Sequence, residues 1–142
     1  MVGDGQLRAD CERFAQEYRL PVSFTGFVNQ SQMPSVYAVS DVLILPSDGR
    51  ETWGLVVNEA MACGLPAVVS DEVGCWPNLI EEGRTGFVFR CGDTDRLAEI
   101  LTIFVKNPIQ KEMGQEASRR IKQYSLEEAA LGISRALGFP ER

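Results

Sequence analysis

The chain has 142 residues, of which 44% are apolar, and it carries a net charge of −6 at pH 7. This length suffices for one hydrophobic core, so residues 1–142 are predicted to form one globular domain. The acidic balance excludes the basic footprint of a nucleic-acid-binding protein. The absence of histidine excludes Ser-His-Asp and Cys-His catalysis within the chain. Proton chemistry would therefore depend on carboxylates.

The cysteines and the apolar segments indicate neither a metal site nor a membrane span. The four cysteines are scattered without a C-x-x-C pair, which argues against a zinc site and a disulfide framework. The longest apolar runs, residues 42–46 and 65–69, have the length of strands, and no signal peptide opens the chain. We therefore expect a cytoplasmic protein with no metal and no cofactor, and peripheral attachment of a longer parent protein to a membrane stays open.

The first part of the chain reads as a turn, a helix, a strand and a second helix. Glycines in residues 1–5 predict a turn, and the apolar spacing predicts a helix over residues 7–19. Residues 22–25 are predicted to form a short strand, and Ser31 to cap a helix over residues 32–39. A turn of this kind usually follows a strand, so we expect that an N-terminal portion has been cut away.

The rest of the chain alternates between strands and helices. Strands buried on both faces are predicted over residues 42–45 and 66–70, and an edge or late strand over residues 87–90. Asp93 or Thr94 is expected to cap the helix that begins there. Helices are predicted over residues 55–63, 77–81, 94–105, 109–123 and 126–137.

This alternation predicts an α/β fold, in which a right-handed parallel sheet carries helices on both faces. In such folds, ligands bind beyond the carboxyl ends of the strands. Three loops that follow predicted strands should therefore line one candidate cleft, namely residues 26–28, 47–53 and 71–76.

The predicted helix over residues 55–63 is the part of the chain with the clearest chemical meaning. It is apolar on nearly every face except at Asn58 and Glu59, which is typical of a buried helix. A buried carboxylate needs hydrogen-bond donors, and the sequence shows no evident protein partner for Glu59, so a ligand is one candidate. The unpaired first amides and the helix dipole favour a phosphate, which Gly54 would allow to approach closely.

Residues 46–66 closely resemble the signature of retaining nucleotide-sugar glycosyltransferases of the GT-B fold, often called group 1. Glu51 and Glu59 match the Glu-x7-Glu motif of that family, and residues 2–5, 24–27 and 85–88 match flanking pieces. The resemblance therefore covers most of the chain. It implies a Rossmann-like, three-layer domain that binds the donor sugar nucleotide, lacks its first βα unit, and works with an N-terminal domain that binds the acceptor.

The resemblance also implies roles for individual residues. Glu59 would accept hydrogen bonds from the ribose hydroxyls of a UDP- or GDP-sugar, and Glu51 would act at the transferred sugar. The amides of Leu55 and Val56, next to Gly54, would contact the diphosphate. The loop that meets the nucleotide base in the family corresponds to Gly26, Phe27 and Val28. Two features depart from the family: the Gly-Arg and Lys pair for the diphosphate has no counterpart, and Asn78 stands where an acidic residue is common.

Two functional classes remain open at this point. One is the donor-binding domain of a hexosyltransferase-type enzyme that retains configuration, and the other is a non-catalytic nucleotide-binding module. A glycoside hydrolase also uses paired carboxylates, but those must flank one bond, whereas Glu51 and Glu59 are better assigned to different parts of one ligand. We expect the chain alone to be inactive and to self-associate through apolar surface that its partner domain would cover.

Overall fold

The computed structural model describes residues 1–138, and the chain divides into two units after Val36. The first unit contains helix α1 (Arg8–Glu17), where the sequence predicts a helix over residues 7–19. Ala15 is the buried residue of α1, whereas the apolar side chains of Leu7, Phe14 and Tyr18 are exposed. The apolar stripe of this helix is therefore largely uncovered within its own unit.

The predicted strand over residues 22–25 is wrong in its extent. In its place, one parallel bridge joins Val2 to Gly26. The Gly3 amide donates to the Gly26 carbonyl at 2.8 Å, and the Thr25 amide donates to the Met1 carbonyl at 3.0 Å. A regular strand needs a longer ladder, and this pairing extends over only a few residues.

The next helix also begins differently from the prediction. Asn29, rather than Ser31, is the N-cap, since its side chain accepts a hydrogen bond from the Ser31 amide at 3.4 Å. A 3-10 helix (Gln30–Gln32) then leads into α2 (Met33–Ala38), which continues past the boundary between the two units. Asparagine caps helices as well as serine does, so residue type alone could not choose between the two positions.

The second unit, which begins at Tyr37, contains a parallel sheet. Within the described residues the sheet has three strands in the order β1 (Leu43–Leu45), β2 (Ala67–Ser70) and β3 (Gly86–Phe89). Every residue of β2 is buried, as predicted. The parallel, sequential order confirms the predicted α/β fold class, because each strand returns to the same direction through a helix.

Helices cover both faces of this sheet. They are α3 (Leu55–Ala62), α4 (Trp76–Leu79), α5 (Thr94–Lys106) and α6 (Gln110–Ile121). The last helix of the described residues, α7 (Leu126–Ala136), has no buried residue and contacts the short segment that precedes it. On one face, Ala67 and Val69 pack in a core with Met61 of α3 and Ala117 of α6. On the other face, Val68 packs in a second core with residues of β3 and α5. The predicted three-layer arrangement is therefore confirmed.

Strand β1 is less buried than its apolar sequence predicts. Ile44 is 38% exposed, so the prediction of burial on both faces is wrong for this strand. Ile44 is in register with Val68, whose face of the sheet is covered by α5. Because α5 packs against β3, at the opposite edge of the sheet from β1, this face of β1 stays partly open.

The later helices agree with the sequence within a few residues, and Asp93 rather than Thr94 caps α5. The Asp93 carboxylate accepts a hydrogen bond from the Arg96 amide at 2.9 Å. A further 3-10 helix (Lys122–Tyr124) joins α6 to α7. Among residues 1–138, no helix combines the length and the apolar content needed to cross a bilayer.

The second core generates a stability prediction. Ile100 of α5 is fully buried in it, whereas Val105 of the same helix is 85% exposed. Replacing Ile100 with alanine is expected to lower the free energy of unfolding by about 2–5 kcal/mol, through lost burial and the cavity left behind. The matched change Val105→Ala should alter it by less than about 0.5 kcal/mol. Urea unfolding measures both, and equal effects would contradict the assigned core.

Candidate functional site

The loops that follow β1 and β2 are joined by backbone hydrogen bonds at the carboxyl ends of these strands. The Cys75 amide donates to the Trp53 carbonyl at 2.8 Å, and the Gly74 amide donates to the Glu51 carbonyl at 3.3 Å. Closer to the strands, the Ser70 hydroxyl donates to the Ser47 carbonyl. We call the pairing of residues 51–54 with residues 74–75 the loop clamp. It fixes the backbone of Glu51 against the β2 loop.

Two glycines make the loop clamp sterically feasible. A Cβ atom at Gly74 would lie 1.9 Å from the Thr52 carbonyl oxygen, so any side chain there would force the loops apart. Gly54 has a positive φ of 97°, and a Cβ atom there would lie 2.9 Å from Cγ1 of Val73. Gly54 is thus required by backbone conformation and packing, which is a reason additional to the phosphate approach predicted from sequence.

The side chain of Glu51 is half-buried and lies within electrostatic reach of Cys75. Burial raises the pKa of the Cys75 thiol to about 11, and the negative charge of Glu51 adds to the rise. The Cys75 thiol is fully buried and points toward the Gly54 carbonyl, with 4.0 Å between sulfur and oxygen. Cys75 is therefore a protonated packing residue beneath the loop clamp rather than a nucleophile.

Helix α3 is buried on one face only, which corrects the expectation of an entirely buried helix. Val57, Ala60 and Met61 are buried, whereas Leu55 is 67% exposed and Glu59 is half-buried. The reason is that the sheet and α6 cover one side of α3 and leave the other side open. Leu55 and Glu59 consequently lie on the open side of α3.

Glu59 has a protein partner that the sequence did not reveal. The hydroxyl of Tyr37 donates to Oε2 of Glu59 at 2.8 Å. Tyr37 is only 4% exposed, and its pKa lies above the ordinary value because of burial and, secondarily, because of its hydrogen bond to Glu59. The two residues are 22 positions apart, so no local spacing signals the contact.

Trp53 connects the loop clamp to α3. Its indole N–H donates to Oδ1 of Asn58 at 2.9 Å, and its ring lies 6.4 Å from the ring of Tyr124 between centroids. The side chain also packs against the first core. The two polar or charged positions of α3, Asn58 and Glu59, are thus both engaged by aromatic donors, one from the loop and one from α2.

The structure brings most of the predicted site residues together in the second unit. Glu51 lies in the loop clamp. Four further predicted residues lie at the start of α3 or on its open side, namely Gly54, Leu55, Val56 and Glu59. The remaining three lie in the first unit, where Gly26 is buried, Val28 is half-buried and Phe27 is 83% exposed. The contact of this first-unit loop with a nucleotide base stays a prediction.

A family comparison agrees with the resemblance and with this fold. Residues 1–126 match the family model described as "Glycosyl transferases group 1". The match covers most of the chain, so the chain belongs to this glycosyltransferase family. The family resemblance stated from the motif around Glu51 and Glu59 is therefore confirmed.

Individual relatives agree with this assignment. The chain is 35% identical over 136 residues to the sulfoquinovosyl transferase SQD2 of Arabidopsis thaliana, covering 93% of this chain and 26% of the plant enzyme. Sucrose-phosphate synthase of Thermosynechococcus elongatus is 28% identical with a TM-score of 0.82, covering 96% of this chain and 36% of that one. Anabaena HepE in complex with UDP-glucose is 26% identical with a TM-score of 0.76, covering 96% and 39%. The chain thus spans about a quarter to two fifths of the length of these relatives.

The loop clamp generates a prediction about Gly74. Gly74→Ala should separate the two loops and lower the free energy of unfolding by about 1–3 kcal/mol, since the new methyl group meets backbone atoms that cannot move aside alone. Opening the loops should also speed alkylation of Cys75. In the wild type this reaction is expected to be slow, because burial raises the pKa of the thiol to about 11 and only the thiolate reacts. Mass-spectrometric mapping of labelled thiols measures this rate at about pH 8, below the raised pKa.

The matched control for that experiment is Gly132→Ala in α7, where a Cβ atom would meet no atom within 4 Å. It should leave the alkylation rate of Cys75 unchanged and should not destabilise the protein, because alanine favours the helix. Equal labelling of Cys75 in wild type and Gly74→Ala would show that the clamp does not restrict this region.

Proposed function

We propose that the chain is the donor-binding part of a hexosyltransferase-type glycosyltransferase, which transfers a sugar from a UDP- or GDP-sugar to an acceptor with retention of configuration. The observation that supports this most strongly is the half-buried carboxylate of Glu59, on the open side of α3 and close to its N-terminal turn. A nucleoside diphosphate presents both matching groups, a ribose diol and an anionic diphosphate.

Glu59 has the properties of a ribose anchor. An ionised carboxylate accepts hydrogen bonds at about four lone-pair positions and donates none, which suits two adjacent hydroxyl groups. In the described part of the chain, Tyr37 supplies the side-chain donor to Glu59, and it reaches only Oε2. The carboxylate therefore keeps acceptor capacity for a ligand.

The diphosphate is proposed to bind at the start of α3. Helix geometry gives the amides of Leu55 and Val56 no intrahelical acceptor, and the helix dipole favours an anion at this end. The exposure of Leu55 supports access to these amides. The net charge of −6 repels an anionic nucleotide, so hydrogen bonds from neutral amides must outweigh this repulsion. We therefore expect weak nucleotide binding, with Kd on the order of 0.1–1 mM.

Glu51 is proposed to act at the transferred sugar. It lies in the loop clamp before α3, so it is separated along the chain from the helix that would hold the nucleotide. The presence of UDP-glucose in the HepE complex supports a nucleotide-bound sugar as the donor. The backbone hydrogen bonds of the clamp would help to keep the Glu51 carboxylate in one place while the sugar is transferred.

We also propose that the full enzyme contains a second domain that binds the acceptor. The relatives are longer than this chain, and apolar side chains on or beside α1 and α7 are exposed to solvent, which is unusual for surfaces with no partner. They include Leu7, Phe14, Tyr18, Leu126, Ile133 and Leu137. The same surfaces would favour self-association of the chain when no second domain covers them.

The first functional prediction concerns Glu59. Glu59→Gln keeps the size of the side chain but removes charge-assisted hydrogen bonds, so nucleotide binding should weaken by about 1.5–3 kcal/mol. Calorimetric titration with UDP and with GDP compares it with wild type. The control is Glu112→Gln, an exposed position in the first turn of α6 that should bind as wild type does. Unchanged affinity in Glu59→Gln would remove the ribose assignment.

The second functional prediction concerns Glu51. In an enzyme that also carries an acceptor-binding domain, Glu51→Ala should lower turnover far more than nucleotide affinity, because its contacts would be made chiefly in the transition state. The 142-residue chain alone should give no transfer, since it cannot hold the acceptor. Transfer of labelled sugar from UDP- and GDP-sugars measures both. Preserved turnover with a large loss of UDP affinity would reverse the assignment and favour a non-catalytic nucleotide-binding role.

A further inference from the structure

We infer that Tyr37 is a positioning residue for the donor nucleotide, because its hydroxyl holds Glu59 in the orientation that leaves the second carboxylate oxygen for the ribose. This inference rests on the proposed role of Glu59 as the ribose anchor. Its direct support is the hydrogen bond of 2.8 Å from the Tyr37 hydroxyl to Oε2 of Glu59. Tyr37 lies outside the motif that contains Glu51 and Glu59.

The direction of this hydrogen bond follows from the chemistry of the two groups. An ionised carboxylate can only accept, so the tyrosine must donate. Burial of Tyr37, together with the neighbouring negative charge, raises its pKa above the ordinary value for tyrosine, so the hydroxyl keeps its proton across the physiological range. The donor is therefore present whether or not a nucleotide is bound.

The different burial of the two partners explains why Tyr37 would orient Glu59 rather than the reverse. Tyr37 is 4% exposed, and its ring is fixed by the packing around it. Glu59 is half-buried on the open side of α3, where a glutamate side chain has several accessible rotamers. Binding a ribose diol would require the carboxylate to give up that freedom. A fixed donor at Oε2 removes part of this cost before the ligand arrives.

The competing explanation is that Tyr37 is simply a core residue whose hydroxyl happens to reach a carboxylate. A phenylalanine ring would satisfy that role, since it fills the same space. The two explanations differ in what the loss of the hydroxyl does to recognition of the ribose. A packing role changes stability alone, whereas a positioning role changes the contribution of the ribose hydroxyls to binding.

The test compares UDP with 2′,3′-dideoxy-UDP on wild type, Tyr37→Phe and Tyr124→Phe by ligand-observed NMR titration, with the GDP pair in parallel. Tyr124→Phe is the matched control, because the Tyr124 hydroxyl also donates, at 3.2 Å, but to the backbone carbonyl of Asn78. Thermal unfolding of each variant monitors folding.

In wild type, loss of the ribose hydroxyls should weaken binding by about 10-fold or more. Tyr37→Phe should reduce that preference by about 3- to 10-fold, and Tyr124→Phe should preserve it.

The outcomes separate this inference from the proposed function. If wild type prefers UDP and Tyr37→Phe keeps the full preference, the positioning role is overturned while the ribose assignment of Glu59 stands. If wild type shows no preference for UDP over its dideoxy analogue, the ribose assignment fails, and the positioning role fails with it. Tighter UDP binding by Tyr37→Phe would also overturn the inference, since the hydroxyl would then be competing with the ribose.

A double-mutant comparison provides a second measurement that does not depend on absolute stability. If Tyr37 acts through Glu59, adding Tyr37→Phe to Glu59→Gln should not change the remaining preference for UDP any further. An additional loss of the same size in both backgrounds would show that the Tyr37 hydroxyl acts independently of Glu59, which contradicts the inference.

Discussion

The geometry of the site depends on the backbone pairing of the loops that follow β1 and β2. Two amides of the β2 loop donate to carbonyls at Glu51 and Trp53, immediately before α3 begins. These bonds continue the contact between parallel strands β1 and β2 beyond the regular sheet. This short region of paired backbone therefore fixes where α3 begins and where the backbone of Glu51 lies, while packing against the sheet and α6 holds the rest of the helix. Gly74 is a condition of that pairing, because its Cα closely approaches the Thr52 carbonyl.

The second constraint is electrostatic. The chain is acidic and has no histidine, and its candidate site contributes two carboxylates. The net charge of such a protein repels an anionic sugar nucleotide. Its recognition would therefore rely on neutral hydrogen-bond donors that point at the ligand, such as the amides at the start of α3. The carboxylates are useful where the ligand offers hydroxyl groups, since hydrogen bonds from a hydroxyl to an ionised acceptor are stronger than neutral ones. For this reason Glu59 is proposed to bind the ribose hydroxyls, and the amides of α3 are proposed to bind the diphosphate.

The sequence predicted those features that depend on local pattern. The continuous apolar run of β2 identified a strand buried on both faces, and the residue pattern around Asp93 identified the start of α5. It failed where the outcome depends on what packs against an element. Strand β1 has an equally apolar sequence, yet Ile44 is partly exposed. The reason is that α5 packs against β3, at the opposite edge of the sheet, and leaves this face of β1 partly open. Residues 22–25 likewise have strand-like composition but form no regular strand, and a single bridge at Gly26 stands in its place.

The same limit explains how much of the candidate site could be found in advance. The spacing of Glu51 and Glu59 is a local signal, and it was sufficient to identify the family. The environment of Glu59 is not a local property, because Tyr37 approaches it from a different helix. The motif thus contains the candidate carboxylate, while the residue that hydrogen-bonds to it lies outside the motif. If Glu59 is the ribose anchor, as proposed, a change at Tyr37 would alter ribose recognition with Glu59 itself left in place.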